Sequence, residues 1–220
     1  MQGSIKAKYE GTRLGRQEID AEILNDVVGA LWSRANIDAN RIQLHQLPPL
    51  NRIVVAIDPA VSTSENSDET GIVAAGIGDN GEFYVLDDIS GVMSPDSWAQ
   101  EAVGLYRARN ADRIIGEANN GGDLIESTIR SVDPNVSYRK VHASRGKVTG
   151  AEPVSALYEQ GRVHHVGGFP KLEDQMCEFC VDFDRKSMGY SPDRLDALVW
   201  ALSYLSETAG GRARPVWIGI

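Results

Sequence analysis

The stretch "RIVVAIDPA", Arg52 to Ala60, decides how this chain is read. Ile53 to Ile57 is a continuous apolar, largely β-branched run, the pattern of a central strand covered on both faces. Asp58 then places a carboxylate at the strand's end, and Pro59 stops the ladder behind it. A second run of this kind, "RIIGE", ends in Glu117. In open α/β sheets the carboxyl ends of the strands are where ligands bind. If the two strands are neighbours, Asp58 and Glu117 lie within a few ångströms of each other and need a cation or a shared proton to coexist.

Outward from these strands the pattern is mixed α/β. Ile72–Ile77 reads as a strand, Asp79-Asn80-Gly81 as a hairpin turn, and Glu82–Asp88 as its antiparallel return. "SPDSWAQEAVGLYRARN" reads as a helix with Ser94 as N-cap and Pro95 in its first turn. A helix over "DLIESTIRSV" and a fifth strand over "SYRKVHA" follow. Helices come next over "EPVSALYEQG", closed by Gly161, over "KLEDQMCEFCVDF", and over "SPDRLDALVWALSYL". Strands and helices in this order predict a mixed sheet of five or more strands, with an antiparallel hairpin and helices on both faces.

The last helix adds two acids. With Ser191 as N-cap and Pro192 in the first turn, Asp193 falls just inside. Leu195, Leu198, Val199, Leu202 and Leu205 form one apolar stripe, while Asp193 and Asp196 share the other side with Ala197, Trp200 and Tyr204. A helix apolar nearly all round is buried. Buried carboxylates are costly unless paired or bound to metal, and a helix N-terminus offsets only about 0.3–1 kcal/mol. Hard oxygen ligands favour Mg²⁺ or Mn²⁺ over zinc. Two such ions roughly 4 Å apart would clamp a phosphodiester. The plainer reading makes each acid a cap or an ion-pair partner, with Arg113 and Arg194 as available cations.

Residues 1–50 differ in pattern. "DAEILNDVVGALWSRANI" (20–37) predicts a helix with Ile23, Val27, Ala30 and Leu31 on one face, and Pro48-Pro49 a stiff connector. A boundary near 50 follows, giving a tail or linker over 1–50, a domain over 51–208 and a C-terminal tail over 209–220. The chain has 220 residues, a net charge of −9 and two cysteines. That length suffices for one sizeable core. Two cysteines exclude a disulfide framework and suit a reducing compartment. No signal peptide or membrane-spanning run is visible. The negative charge argues mildly against a nucleic-acid binder, although "RARNADR" (107–113) and "RKVHASRGK" (139–147) are basic and bound divalent cations would reverse the local sign.

The segments "VVAIDPA", "IIGEANNGGD", "EPVSALYEQGRVHHV", "LEDQM" and "SPDRLDALVWAL", in this order over about residues 50–207, resemble the C-terminal nuclease domain of tailed-phage terminase large subunits. The resemblance implies an RNase H-like fold shared with integrases and Holliday-junction resolvases. It implies a metal-dependent endonuclease that cuts concatemeric viral double-stranded DNA. It matches Asp58, Glu117 and Asp193 to the acidic triad, with Asp196 as the alternative or additional ligand. "GTRLGRQEIDAEIL" resembles the end of the packaging ATPase domain, and no Walker A string occurs; the expectation is the nuclease part of a longer protein. The resemblance also implies the portal and the small terminase subunit as partners, and the host cytoplasm, at the procapsid, as location.

Around the acids, Asn119, Gly121 and Gly122 open a helix after Glu117, where backbone amides suit a phosphate. Arg145 and Lys147, in a loop after the fifth strand, are candidate DNA contacts. Cys177 and Cys180 read as core residues. His142, His164 and His165 could assist proton transfer, and Asp68 and Glu69 of the loop 62–71 could reach metal. Two other classes remain open. An actin- or sugar-kinase-like nucleotide-binding domain has a related first strand ending in Asp, but needs a second glycine-rich loop. A non-catalytic docking module would bind no Mn²⁺.

Overall fold

The structure is a computed structural model and describes residues 27, 29–59, 69–117, 122–141, 147–180 and 191–210. The strands are β1 (Leu50–Asp58), β2 (Gly71–Gly78), β3 (Phe83–Asp88), β4 (Arg113–Glu117), β5 (Tyr138–Val141) and β6 (Val163–His165). The helices are α1 (Arg34–Ala39), α2 (Pro95–Ala108), α3 (Gly122–Val132), α4 (Lys147–Glu159), α5 (Pro170–Glu178) and α6 (Asp193–Gly210). The strands form one six-stranded sheet in the order β5-β4-β1-β2-β3-β6. β1, β2 and β3 pair antiparallel, whereas β1–β4, β4–β5 and β3–β6 are parallel. The mixed sheet and its hairpin are as the sequence predicts, with β6 as an additional edge strand.

Strand alternation sorts the core into two layers. Val54, Ala56, Val73, Ala75 and Ile115 pack with α4, α5 and α6. Val55, Ile57, Ile72, Ala74 and Ile114 pack with α2 and α3. Both faces of β1 are therefore covered, which is why Ile53–Ile57 reads as a continuous apolar run. The period places Asp58 on the α6 side after Val54 and Ala56, and Glu117 on that same side after Ile115. The parallel register pairs Ile57 with Gly116, so Asp58 and Glu117 are the next residues along adjacent strands.

One irregularity redirects β3. Ala75 pairs with Val85 but Ala74 pairs with Asp87, so Leu86 is the extra residue of a β-bulge. Asp87 turns to the α2 side, where it accepts from Arg109 Nε at 2.6 Å. Asp88 turns to the α6 side and pairs with Val73.

Several boundaries differ from expectation. The helix expected over 20–37 is, among the described residues, only α1. Gly29 takes a positive φ of 86°, Ala30 bridges to Cys180, and Ser33 caps a new start by accepting from Asn36 N–H. The change of pattern at residue 50 is a change of element rather than a gap in packing. Trp32 and Ile37 are buried in the same core as α6. α4 begins at Lys147, ahead of the start expected at Glu152, so Pro153 lies inside it and leaves the Thr149 carbonyl without its usual helical donor. Lys147 is thus in a first helical turn and not a loop. α5 stops at Glu178, so Cys177 is a buried core residue and Cys180 lies beyond the helix. α6 runs to Gly210, and the rest of the expected C-terminal tail lies outside the described residues. No described helix is long and apolar enough to cross a membrane.

The segment before β1 is fastened to the far side of the core. Glu173, fully buried, accepts from Arg34 Nη1 at 2.6 Å and from Arg41 Nη1 at 2.6 Å. It also accepts from Phe169 N–H at 3.1 Å and from His165 Nδ1 at 3.0 Å. Tyr158 Oη lies 2.8 Å from His165 Nε2, and Arg34 also meets Asp174. This network fits a neutral imidazole that donates to Glu173 and accepts from Tyr158. Burial pushes His165 down in pKa, against the pull of Glu173. Burial would push Glu173 up, but the hydrogen bonds from His165 and Arg41 and the charge of Arg41 hold it far below the usual carboxylate range.

Candidate metal centre

Two elements deliver three carboxylates to one point. β1 ends in Asp58, and the first turn of α6 supplies Asp193 and Asp196. One oxygen from each lies within 4.8 Å of the other two. Asp58 is half-buried, while Asp193 is 5% and Asp196 9% exposed, so water screens these charges poorly. At an effective dielectric of about 20, two unit charges this close repel by roughly 3–4 kcal/mol. The helix end returns about 0.3–1 kcal/mol, less than one pair costs. A divalent cation between them offsets all three, and three carboxylates form a hard-oxygen donor set suited to Mg²⁺, Mn²⁺ or Ca²⁺. The residues therefore fit such an ion.

Gly71 lets α6 come this close. It pairs with Asp58 across β1–β2. A Cβ built on Gly71 would stand 1.9 Å from the Asp193 carbonyl oxygen. The helix start rests on bare backbone next to Asp58. The first intrahelical bond runs from Asp196 N–H to Pro192 C=O at 2.8 Å, so Pro192 and not Ser191 holds the N-cap place. The cap is supplied from α5. Gln175 Oε1 accepts from the N–H groups of Arg194 at 3.1 Å and Leu195 at 3.3 Å.

Arg194, one residue past Asp193, turns away from the three aspartates. Its Nε and Nη2 donate to the two carboxylate oxygens of Glu69 at 2.6 and 2.8 Å. Its Nη1 donates to Asp88 at 2.7 Å and its Nη2 to the Ser90 carbonyl at 2.8 Å. Burial would push Glu69 up, and the Arg194 hydrogen bond and charge bring it below the usual range. The reading of Arg194 as an ion-pair cation for the helix acids is thus replaced. It serves Glu69 and Asp88, and Arg113 donates to Tyr204 Oη instead. Glu69 is an ion-pair partner rather than a member of the three-carboxylate group.

Glu117 lies one strand over from Asp58 on the same face, outside the group of three. Gly122 opens α3 and Lys147 opens α4. Asn119, Gly121, Arg145, His142 and Asp68 lie outside the described residues. His165 belongs to the Glu173 network, and His164 stacks on Tyr84 and contacts the Asn40 carbonyl. In the basic run 107–113, Arg107 pairs with Asp133 and Arg109 with Asp87. Gly71, Gln175 and Asp88 carried no sequence signal beyond ordinary loop, helix and strand residues, and Glu69 and Arg194 were singled out for other partners than each other.

A family model described as the terminase RNaseH-like domain matches residues 55–205. The nuclease domain of the large terminase subunit of bacterial virus Sf6 superposes with a TM-score of 0.60 at 14% identity, over 79% of this chain and 98% of that one. The P22 large terminase nuclease domain gives 0.57 at 14% identity, over 84% and 95%. The Mn-soaked human cytomegalovirus terminase nuclease domain gives 0.53 at 15% identity, over 81% and 94%. No curated protein matches.

Proposed function

This chain belongs to the terminase RNaseH-like domain family, and from that premise we propose that it is a metal-dependent endonuclease cutting concatemeric viral double-stranded DNA. The observation that carries the proposal is the convergence of Asp58, Asp193 and Asp196 within 4.8 Å. The Mn-soaked cytomegalovirus relative adds support for the kind of ion. Asp58, Asp193 and Asp196 would hold Mg²⁺ or Mn²⁺, and Glu117, the next carboxylate on that face, would share in holding a second ion. When bound, such a pair supplies a water of lowered pKa and offsets charge on the phosphodiester.

The chain's own groups set where that chemistry happens. Asp58 is rigid because the four residues before it, Val54 to Ile57, are fully buried and Pro59 follows it. Asp193 and Asp196 are rigid because the first two turns of α6, Asp193 to Val199, are buried and the helix start rests on Gly71. Together these acids repel a phosphate until cations are held, so substrate entry and ion loading are coupled. Hydrolysis adds a water oxygen to phosphorus and breaks one P–O ester bond, whose oxygen leaves with a proton. Asn119, Gly121, Gly122, Arg145 and Lys147 are the proposed DNA-backbone contacts, since β4 and β5, which they follow in sequence, are parallel and end at the same edge of the sheet as β1. A packaging ATPase domain of the same polypeptide, the portal and the small terminase subunit are the proposed partners, in the host cytoplasm at the procapsid.

The test is cleavage of supercoiled plasmid in Mn²⁺ by the wild-type chain and by Asp58→Ala. The expected result is loss of cutting by a chain that still melts cooperatively in EDTA. Full cutting by Asp58→Ala would overturn the assignment.

A further inference from the structure

We propose that Arg194 is the positioning residue of the metal centre, locking the start of α6 and the chain's return at Glu69 to the bulged end of β3. The inference rests on the metal reading above and concerns how the chain holds its ligands. Arg194 stands between Asp193 and its partner Asp196 in sequence, yet its side chain points to the other side, 5% exposed. Four hydrogen bonds of 2.6–2.8 Å tie it to three separate places: Glu69, Asp88 and the Ser90 carbonyl. Glu69 immediately precedes Thr70 and Gly71, the glycine on which the Asp193 backbone rests. Asp88 reaches Arg194 only because the bulge at Leu86 turns it to the α6 side.

The arrangement does two things at once. It fixes the rotation of the first α6 turn, so that Asp193 and Asp196 face Asp58. It also consumes two nearby carboxylates, Glu69 and Asp88, that would otherwise compete for the cation. A planar guanidinium reaches all three places in this fork, whereas an ammonium cannot hold Glu69 through two parallel bonds and still meet Asp88 and Ser90. Groups that orient metal ligands without touching the metal typically change affinity by about 10–100-fold when altered.

The experiment is Mn²⁺ calorimetry on the whole chain, with Mn²⁺ electron paramagnetic resonance to count bound ions and EDTA melts to confirm folding. It compares wild type, Arg194→Lys, Glu69→Gln and Asp58→Asn. The expected result is Mn²⁺ binding weakened about 10-fold or more in both Arg194→Lys and Glu69→Gln at a temperature where each is folded. A purely structural role would lower the melting temperature and leave Mn²⁺ affinity within twofold; that outcome overturns the proposal. If Arg194→Lys fails to fold, Glu69→Gln decides alone, since it keeps the Asp88 bond. Wild type that binds no Mn²⁺, or binding kept by Asp58→Asn, overturns the metal reading itself.

Discussion

Gly71 shows how much one missing side chain can position. Its Cβ would overlap the Asp193 carbonyl at 1.9 Å, against backbone that cannot rotate aside. Gly71→Ala should therefore push the start of α6 away from Asp58. Overpacking of this kind costs about 1–3 kcal/mol, readable as a lower urea midpoint, and Mn²⁺ affinity should fall with it. The two helix acids make a second prediction. Because Asp193 and Asp196 both converge on Asp58, Asp193→Asn and Asp196→Asn should each weaken Mn²⁺ binding in calorimetry. Retention by either one would remove that residue from the ligand set. Asp58, Asp193 and Asp196 were legible in the sequence because a charge interrupting an apolar pattern is visible in one dimension. Gly71 was not, because a glycine at the end of a polar loop looks the same whether or not a helix rests on it.

At the scale of elements, strands and helices with strong periodicity were legible and short or bent ones were not. β6 has three residues, too few for alternation to show, and its two histidines drew attention as possible proton carriers instead. The bulge in β3 depends on register against β2, which no local pattern carries. The cap of α6 comes from Gln175 on another helix, whereas sequence reasoning looks for a cap next to the helix itself and chose Ser191. Gln175→Ala removes the acceptor for two N–H groups and should cost about 1 kcal/mol. The loss should appear in thermal melts in EDTA.

Across the whole molecule, Glu173 joins the segment before β1 to α4, α5 and β6. Glu173→Gln leaves Arg34 and Arg41 facing a neutral amide. Their side chains are 17% and 20% exposed, so water relieves part of the loss, and the low end of the range for a broken buried pair applies, about 3 kcal/mol. The fold's pH response follows from the same cluster. His165 is held down in the fold, while the unfolded chain takes its proton near about pH 6.5. Stability should therefore fall as pH drops from about 7 to 5, because the unfolded state binds the proton first. Glu173 and Glu69 are also held low. Their contribution is present above the unfolded carboxylate value of about 4.3 and fades as pH falls below it. Urea midpoints at pH 7 and 5 should differ in wild type and converge in His165→Asn.

The same fastening acts as a strain relief on a cable. Tension drawn from the N-terminal side of residue 30 is taken up first where Ala30 bridges Cys180, then at Arg34 and Arg41 on Glu173, then where Ile42 bridges Val166. Only when these give does load reach β1, the strand that ends in Asp58. A pull on that end of the chain is thus borne by α5 and β6, and the carboxylates stay in register under it.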